Sequence, residues 1–178
     1  MSKSIKDSAV AFPSLLHLFV DFAFFALLGA AAVIDVRTLR IPNEICLSIL
    51  ILYPAHVLTG GGAITWLPAG LALAVFVAGF VPFGLRWMGG GDVKLMAVVA
   101  LWAGPPLIVD FLVLTALVGG VFAVAMLAPS RFVLATALDA VGADRLRDAV
   151  LGRSIPYAVA IAIGAAGSLG PALLHGVG

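Results

Sequence analysis

The fold is decided by one stretch of the sequence, Met88-Gly89-Gly90-Gly91-Asp92-Val93-Lys94-Leu95-Met96. It places three glycines, an acid and a lysine in a chain that is otherwise almost free of charge. Because consecutive glycines favour backbone conformations outside the helix, an apolar helix that runs into Gly89 is expected to end there. Backbone without helical hydrogen bonds is tolerated at membrane depth only where protein buries it or water reaches it. Asp92 is therefore either an ordinary helix N-cap or a functional carboxylate within a membrane.

The composition indicates an integral membrane protein. Of the 178 residues, 63% are hydrophobic and 11% are charged, whereas a soluble domain carries about 25% charged residues. The formal net charge of +1, without a basic cluster, gives no reason to expect a nucleic-acid partner. The single Cys46 excludes an internal disulfide and a zinc site built from several cysteines. We therefore expect an all-α polytopic protein whose main partner is the lipid bilayer.

Six apolar segments are predicted to cross the membrane, since about 20 residues span its hydrocarbon core. They form one membrane domain over residues 1–178, with spans at about 13–34, 41–59, 63–85, 92–103, 107–128 and 155–174 and a cytoplasmic segment at 129–153. The fourth span is short, because a helix over 92–103 is about 18 Å long and the core is about 30 Å thick. If that span reaches the outer interface at Pro105, Asp92 lies below the inner surface, on the floor of a depression open to the cytoplasm.

The basic residues set the predicted orientation, because Lys and Arg in short loops stay on the cytoplasmic side. Both termini are therefore expected outside the cytoplasm, with three cytoplasmic connections. In this arrangement eight of the ten Lys and Arg residues are cytoplasmic: Arg37, Arg40, Arg86, Lys94, Arg131, Arg145, Arg147 and Arg153.

A second acid, Asp35, ends the first predicted span on the same membrane face as Asp92. Its structural interpretation is an interfacial charge balanced by the neighbouring arginines. Its chemical interpretation is a pair with Asp92, because two carboxylates a few ångström apart share one proton. The ionised member then takes a proton from water while the neutral member hydrogen-bonds the scissile carbonyl. This chemistry needs no metal and no cofactor, and the glycines would let an extended substrate backbone approach Asp92.

The remaining polar residues are weaker candidates. Cys46 lies in an apolar segment and is interpreted as a packing residue. Asp21 and Asp110 lie toward the outer side and are interpreted as polar contacts between spans. The histidines also fall near the outer half, so no metal site is expected from them: His17, His56 and His175.

Three motifs resemble those of the type IV prepilin peptidases, which are intramembrane aspartyl proteases. The first is the glycine run with its aspartate, which fits the Gly-x-Gly-Asp motif and continues as Val93-Lys94-Leu95-Met96. The second is Asp35 with Ile41-Pro42-Asn43, which resembles the first-aspartate segment of the family. The third is Ser154-Ile155-Pro156-Tyr157-Ala158, which resembles the motif of its last helix. The size of the chain is similar to the short branch that serves Flp (Tad) pili.

The resemblance implies that Asp35 and Asp92 are the catalytic pair. It implies a Flp-type prepilin as the substrate, cut between a basic leader and a hydrophobic helix at the cytoplasmic face of the bacterial inner membrane. The supporting positions would be Gly89, Gly91, Lys94, Arg37, Pro42 and Asn43. The chain departs from the long members of the family, because it has no four-cysteine zinc insertion. It also shows no nucleotide-binding loop for the methylation that those members perform with S-adenosylmethionine.

Two other functions remain open. A small proton- or cation-coupled transporter could use the same two aspartates beside a broken helix, but such transporters show a break in each of two related halves. The sequence has one break and no repeat. A structural subunit of a pilus assembly platform is the third reading, and it would tolerate Asp92→Asn.

Overall fold

The computed structural model describes residues 2–60, 65–127, 131–142, 147 and 156–175 of the chain. Within these ranges the protein is all-α and contains no strand, as the sequence predicts. The helices are α1 (Ser2–Thr38), α2 (Asn43–Thr59), α3 (Trp66–Gly84), α4 (Gly90–Leu127), α5 (Arg131–Ala140) and α6 (Tyr157–His175). Residues 129–130, 143–146 and 148–153 of the predicted cytoplasmic segment lie outside the described residues, as do Ser154 and Ile155.

The apolar helices confirm the predicted membrane fold. Three stretches are long and apolar enough to cross a bilayer, namely Leu15–Thr38, Trp66–Gly84 and Gly90–Ala125, while the apolar stretches of α2 and α6, Asn43–Thr59 and Tyr157–Leu173, are shorter. The last of these stretches consists of two helical halves that meet at Gly104. The protein therefore has six apolar helical segments in its described part, and the fourth is short, as predicted.

The chain reverses at Gly104, in the middle of α4. Gly104 has φ 56° and ψ −171°, a conformation that is essentially restricted to glycine. Pro105 and Pro106 follow at the start of the second half, where the missing N–H groups cost little. In that half, Thr115 packs against Gly164 and Gly119 packs against Tyr157, so the second half of α4 runs antiparallel to α6.

The first helix is longer than predicted. It continues through Thr38, whose hydroxyl donates a hydrogen bond of 2.8 Å to the Ile34 carbonyl. It stops at Leu39, which has a φ of 52°. The expectation that Asp35 ends the span is therefore wrong by about one turn. Asp35 lies within the helix and is buried, so its side chain faces the bundle interior rather than the interface.

Trp102 of α4 joins three helices in the core. Its ring stacks on Phe24 of α1 with centroids 4.2 Å apart. Its indole N–H donates a 3.1 Å hydrogen bond to the carbonyl of Ile49 in α2. This contact fixes the first half of α4 against α1 and α2, and both aspartates lie on these connected helices.

Two exposed tryptophans flank α3. Trp66 begins the helix and Trp87 follows its end, and they are 88% and 69% exposed. The chain between them is long enough to cover roughly 30 Å as a helix, which is the thickness of the hydrocarbon core. Tryptophans are enriched at both membrane interfaces, so their positions agree with a membrane-spanning α3.

Candidate active site

Two buried carboxylates from different helices meet at one end of the bundle, which we name the aspartate end. Asp35 of α1 is 5% exposed and Asp92 of α4 is 8% exposed. Gly91, next to Asp92, packs against Ile41, so the start of α4 lies against the segment that follows Asp35. A buried carboxylate is costly unless hydrogen bonds or a partner compensate it, so the surroundings of each acid are informative.

Asp35 is held by the first turn of α6. The backbone N–H of Ala158 donates a 3.1 Å hydrogen bond to Asp35 Oδ2. The first N–H groups of a helix have no partner within the helix, and the helix dipole favours a negative charge there. Pro156, which is buried, immediately precedes α6. The described part of the third motif thus lies directly against the first aspartate.

Asp92 is held by the glycine run itself. The N–H of Gly89 donates a 3.0 Å hydrogen bond to Asp92 Oδ2, and the N–H of Val93 donates to the Gly89 carbonyl at 3.2 Å. Asp92 is therefore the third residue of α4 and reaches back to the residue before the helix, as the acid of a capping box does. The N-cap interpretation is wrong in position, although the side chain does satisfy the helix start.

The second oxygen of Asp92 has no such contact. Asp92 Oδ1 is buried and has no hydrogen-bond partner among the described residues. Most buried polar atoms are hydrogen-bonded, and the exceptions need an explanation. Here the free oxygen belongs to one of two acids that are buried at the same end of the bundle, where a water molecule or a polar substrate group would satisfy it.

The glycines before Asp92 permit two close approaches. A Cβ atom on Gly91 would lie 3.0 Å from Cβ of Ile41 and 3.4 Å from the Ile41 carbonyl oxygen. A Cβ atom on Gly89 would lie 2.9 Å from Asp92 Oδ2. The start of α4 is thus pressed against the connection between α1 and α2, a few residues after Asp35.

The other predicted supporting residues lie at the same end of the bundle. Lys94 Nζ donates a 2.9 Å hydrogen bond to Asn43 Oδ1, which links α4 to α2. Pro42 is the N-cap of α2, and Arg37 lies exposed in the last turn of α1. The structure therefore brings all eight predicted residues to one end, with the two acids and the glycines at its centre.

A groove of about 400 Å³ begins beside the Lys94–Asn43 hydrogen bond and runs between α2 and α4. Its polar end is next to the aspartate end, and the rest is apolar. It is lined by Asn43, Glu44, Cys46, Leu47, Leu50, Lys94 and Val98.

At the opposite end of the bundle the structure brings together residues that the sequence analysis treated separately. Asp21 accepts a 2.7 Å hydrogen bond from His56 Nδ1, which confirms the predicted contact between spans. The ring of His17 stacks on that of His56 with centroids 4.7 Å apart. The sequence alone could have indicated part of this cluster, because His17 and Asp21 are four residues apart and therefore lie on the same face of a helix. Asp110 is exposed, so the same interpretation fails for it within the described residues.

Comparison with known proteins finds one matching family. Residues 22–124, more than half of the chain, match the family model described as the type IV leader peptidase family. The matched range contains both aspartates, the glycine run and the groove between α2 and α4. No curated protein and no solved structure matches the chain.

Proposed function

Because this chain belongs to the type IV leader peptidase family, we propose that it is an aspartic endopeptidase that removes the basic leader of a Flp-type prepilin. The observation that carries the proposal is the burial of Asp35 and Asp92 at the same end of the bundle, with Asp92 Oδ1 free of any hydrogen-bond partner among the described residues. The membrane location follows from the apolar helices.

The two carboxylates would act on one water molecule. Like charges in a buried site cannot both ionise readily, so the pair shares a proton. Each acid is fixed through its Oδ2 by a backbone N–H, from Ala158 for Asp35 and from Gly89 for Asp92. This arrangement would hold one oxygen of Asp92 in place to accept a proton from water. The neutral acid would then hydrogen-bond the scissile carbonyl and stabilise the oxyanion that forms.

The groove between α2 and α4 is suited to the hydrophobic helix of a prepilin. The apolar part of the groove would be open to the lipid, because its lining residues Leu47 and Leu50 are 56% and 43% exposed. A substrate helix packed there would bring the preceding extended segment to the aspartate end. The acid Glu44, exposed at the polar end of the groove, could face the basic leader.

The basic residues support a cytoplasmic position for the aspartate end. Arg37, Arg86 and Lys94 lie at or next to the ends of α1, α3 and α4 that surround the two acids. Positive charge is retained on the cytoplasmic side of inner-membrane proteins. In this orientation a prepilin leader would reach the site before its secretion.

Cleavage of a co-expressed Flp-type prepilin tests the proposal. We expect wild type to release the leader, seen as a loss of prepilin mass, and Asp35→Asn and Asp92→Asn to release none. Asparagine keeps the size of the side chain but cannot share the proton. Asp110→Asn, at an exposed acid of α4, is the matched control and should cleave normally. Cleavage by either dyad variant, at wild-type levels in the membrane, would contradict the mechanism.

The same experiment separates the other functions. A transporter or a structural subunit would leave the prepilin uncut in wild type as well as in the variants. The family match favours the peptidase over the transporter.

A further inference from the structure

Two histidines and an aspartate form a compact cluster at the end of the bundle opposite Asp35 and Asp92. His17 and Asp21 lie on α1, and His56 lies on α2. Each residue offers one ligand atom, and these atoms all lie within 4.8 Å of one another. The side chain of Asp21 is 5% exposed, and those of His17 and His56 are 25% and 17% exposed. Along α1 the cluster is about 20 Å from Asp35, since a helix rises 1.5 Å per residue.

The hydrogen bonds around His17 determine where its ring proton lies. The hydroxyl of Thr59 donates to the Ala55 carbonyl at 2.7 Å, so its oxygen is left to accept from His17 Nδ1, 3.1 Å away. The proton of a neutral His17 is therefore on Nδ1, and Nε2 carries a lone pair. That lone pair is 3.4 Å from Asp21 Oδ2.

Asp21 Oδ2 is the second observation that points to a ligand. It is buried and has no hydrogen-bond partner among the described residues, whereas Oδ1 accepts from His56 Nδ1 at 2.7 Å. A carboxylate oxygen repels an unprotonated imidazole nitrogen 3.4 Å away unless a positive charge lies between them. That charge is either a proton, which would make His17 an imidazolium, or a metal ion.

We propose that His17, Asp21 and His56 bind a transition-metal ion of the zinc type. Two imidazole nitrogens and one carboxylate oxygen are a ligand set that Zn²⁺ accepts, with a water molecule in the fourth position. Zn²⁺ binds such atoms at about 2.0–2.2 Å, so two ligands on one tetrahedral ion are roughly 3.3 Å apart. The 3.4 Å between His17 Nε2 and Asp21 Oδ2 already matches this spacing. Mg²⁺ and Ca²⁺ prefer oxygen ligands and fit less well.

For His56 to bind the ion through Nδ1, its ring proton would move from Nδ1 to Nε2. The ion then takes the place of the hydrogen bond and joins α1 to α2. The ring of His56 is already positioned for this role, because it packs on the ring of Trp102 with centroids 4.7 Å apart. Thr59 is a positioning residue that fixes the ring of His17 from the far side, as outer hydrogen bonds do for metal-bound histidines.

The test is zinc binding by the full chain, purified in detergent with a tag that contains no histidine. After equilibration with Zn²⁺ and removal of free ion, we expect one zinc per wild-type chain and a thermal unfolding temperature that rises with Zn²⁺ but not with Mg²⁺. His17→Ala, Asp21→Asn and His56→Ala should each lose the bound zinc. Asp110→Asn is the matched control and should keep it.

Thr59→Val provides a variant that leaves all three ligands in place. It should bind zinc about 10-fold more weakly, within the range found for outer hydrogen bonds to metal ligands, and it keeps the test decisive if a ligand variant fails to fold. A wild type that retains no zinc would overturn the proposal and assign the charge to a protonated His17. Zinc retained equally by wild type and the ligand variants would also overturn it, by placing the ion elsewhere.

Discussion

Gly91→Ala should reduce cleavage strongly while leaving the protein folded. The added Cβ atom would lie 3.0 Å from Cβ of Ile41 and 3.4 Å from its carbonyl oxygen. Ile41 belongs to the connection that follows Asp35, and Gly91 is adjacent to Asp92. The substitution therefore pushes the start of α4, which carries Asp92, away from the segment that follows Asp35, and these two acids are the proposed catalytic pair.

The expected loss of cleavage rate follows from the overlap between the added Cβ atom and Ile41. Carbon atoms in ordinary contact are about 3.5–4.0 Å apart, so a contact of 3.0 Å requires the two segments to separate by a few tenths of an ångström. A misplacement of about 1 Å in a catalytic group costs about 100-fold in rate. Since the displacement here is at most about half of that, we expect kcat for prepilin cleavage to fall by up to about 10-fold. Overpacking costs about 1–3 kcal/mol of unfolding free energy, and the gain in helix propensity returns up to about 1 kcal/mol.

The assay is the initial rate of cleavage of a saturating Flp-type prepilin by purified protein, with thermal unfolding measured on the same sample. Gly29→Ala, in the middle of α1, is the matched control because a Cβ there would meet nothing within 4 Å. It should cleave at the wild-type rate. If Gly91→Ala cleaves within about twofold of wild type, the close approach to Ile41 does not set the catalytic distance, and the argument from overlap fails.

Two further predictions concern the helix contacts. Gly164→Ala should lower the free energy of unfolding by about 1–3 kcal/mol, because its Cβ would collide with the side chain and the backbone of Thr115. Unfolding of the protein in detergent measures this loss. Gly170→Ala, on the same helix but with open space around it, is the control and should show no loss. Trp102→Phe keeps an aromatic ring but removes the hydrogen bond to the Ile49 carbonyl, so it should cost about 1 kcal/mol, and an unchanged unfolding curve would argue against that bond.

Much of the architecture could be predicted, because a membrane permits few backbone structures. A run of apolar residues must be helical, and Gly104-Pro105-Pro106 and the glycines before Asp92 interrupt it. These breaks are local properties of the backbone, and the structure has both of them. The length of α1 was less predictable, since hydropathy marks the membrane core and a helix can continue beyond it.

The contacts across helices could not be predicted in the same way. An apolar helix in lipid has no polar face that shows which side is turned inward, so the rotation of α2 and α6 about their axes was undetermined. The cluster of His17, Asp21 and His56 depends on that rotation, because His56 comes from a second helix. The Ala158 hydrogen bond to Asp35 depends on it too, and a backbone donor leaves no trace in residue type.

Backbone N–H donors hold both acids of the proposed catalytic pair. Each aspartate is anchored through one oxygen by a backbone N–H at the start of a helix, Asp35 at α6 and Asp92 at α4. Lys94, the charged residue of the same motif, donates its hydrogen bond to Asn43 instead. The distance between the two acids would then depend on how closely α1, α4 and α6 pack. Small residues at these contacts, such as Gly91, should therefore affect catalysis more than the charged residues beside them, because they determine how closely the start of α4 approaches the segment that follows Asp35.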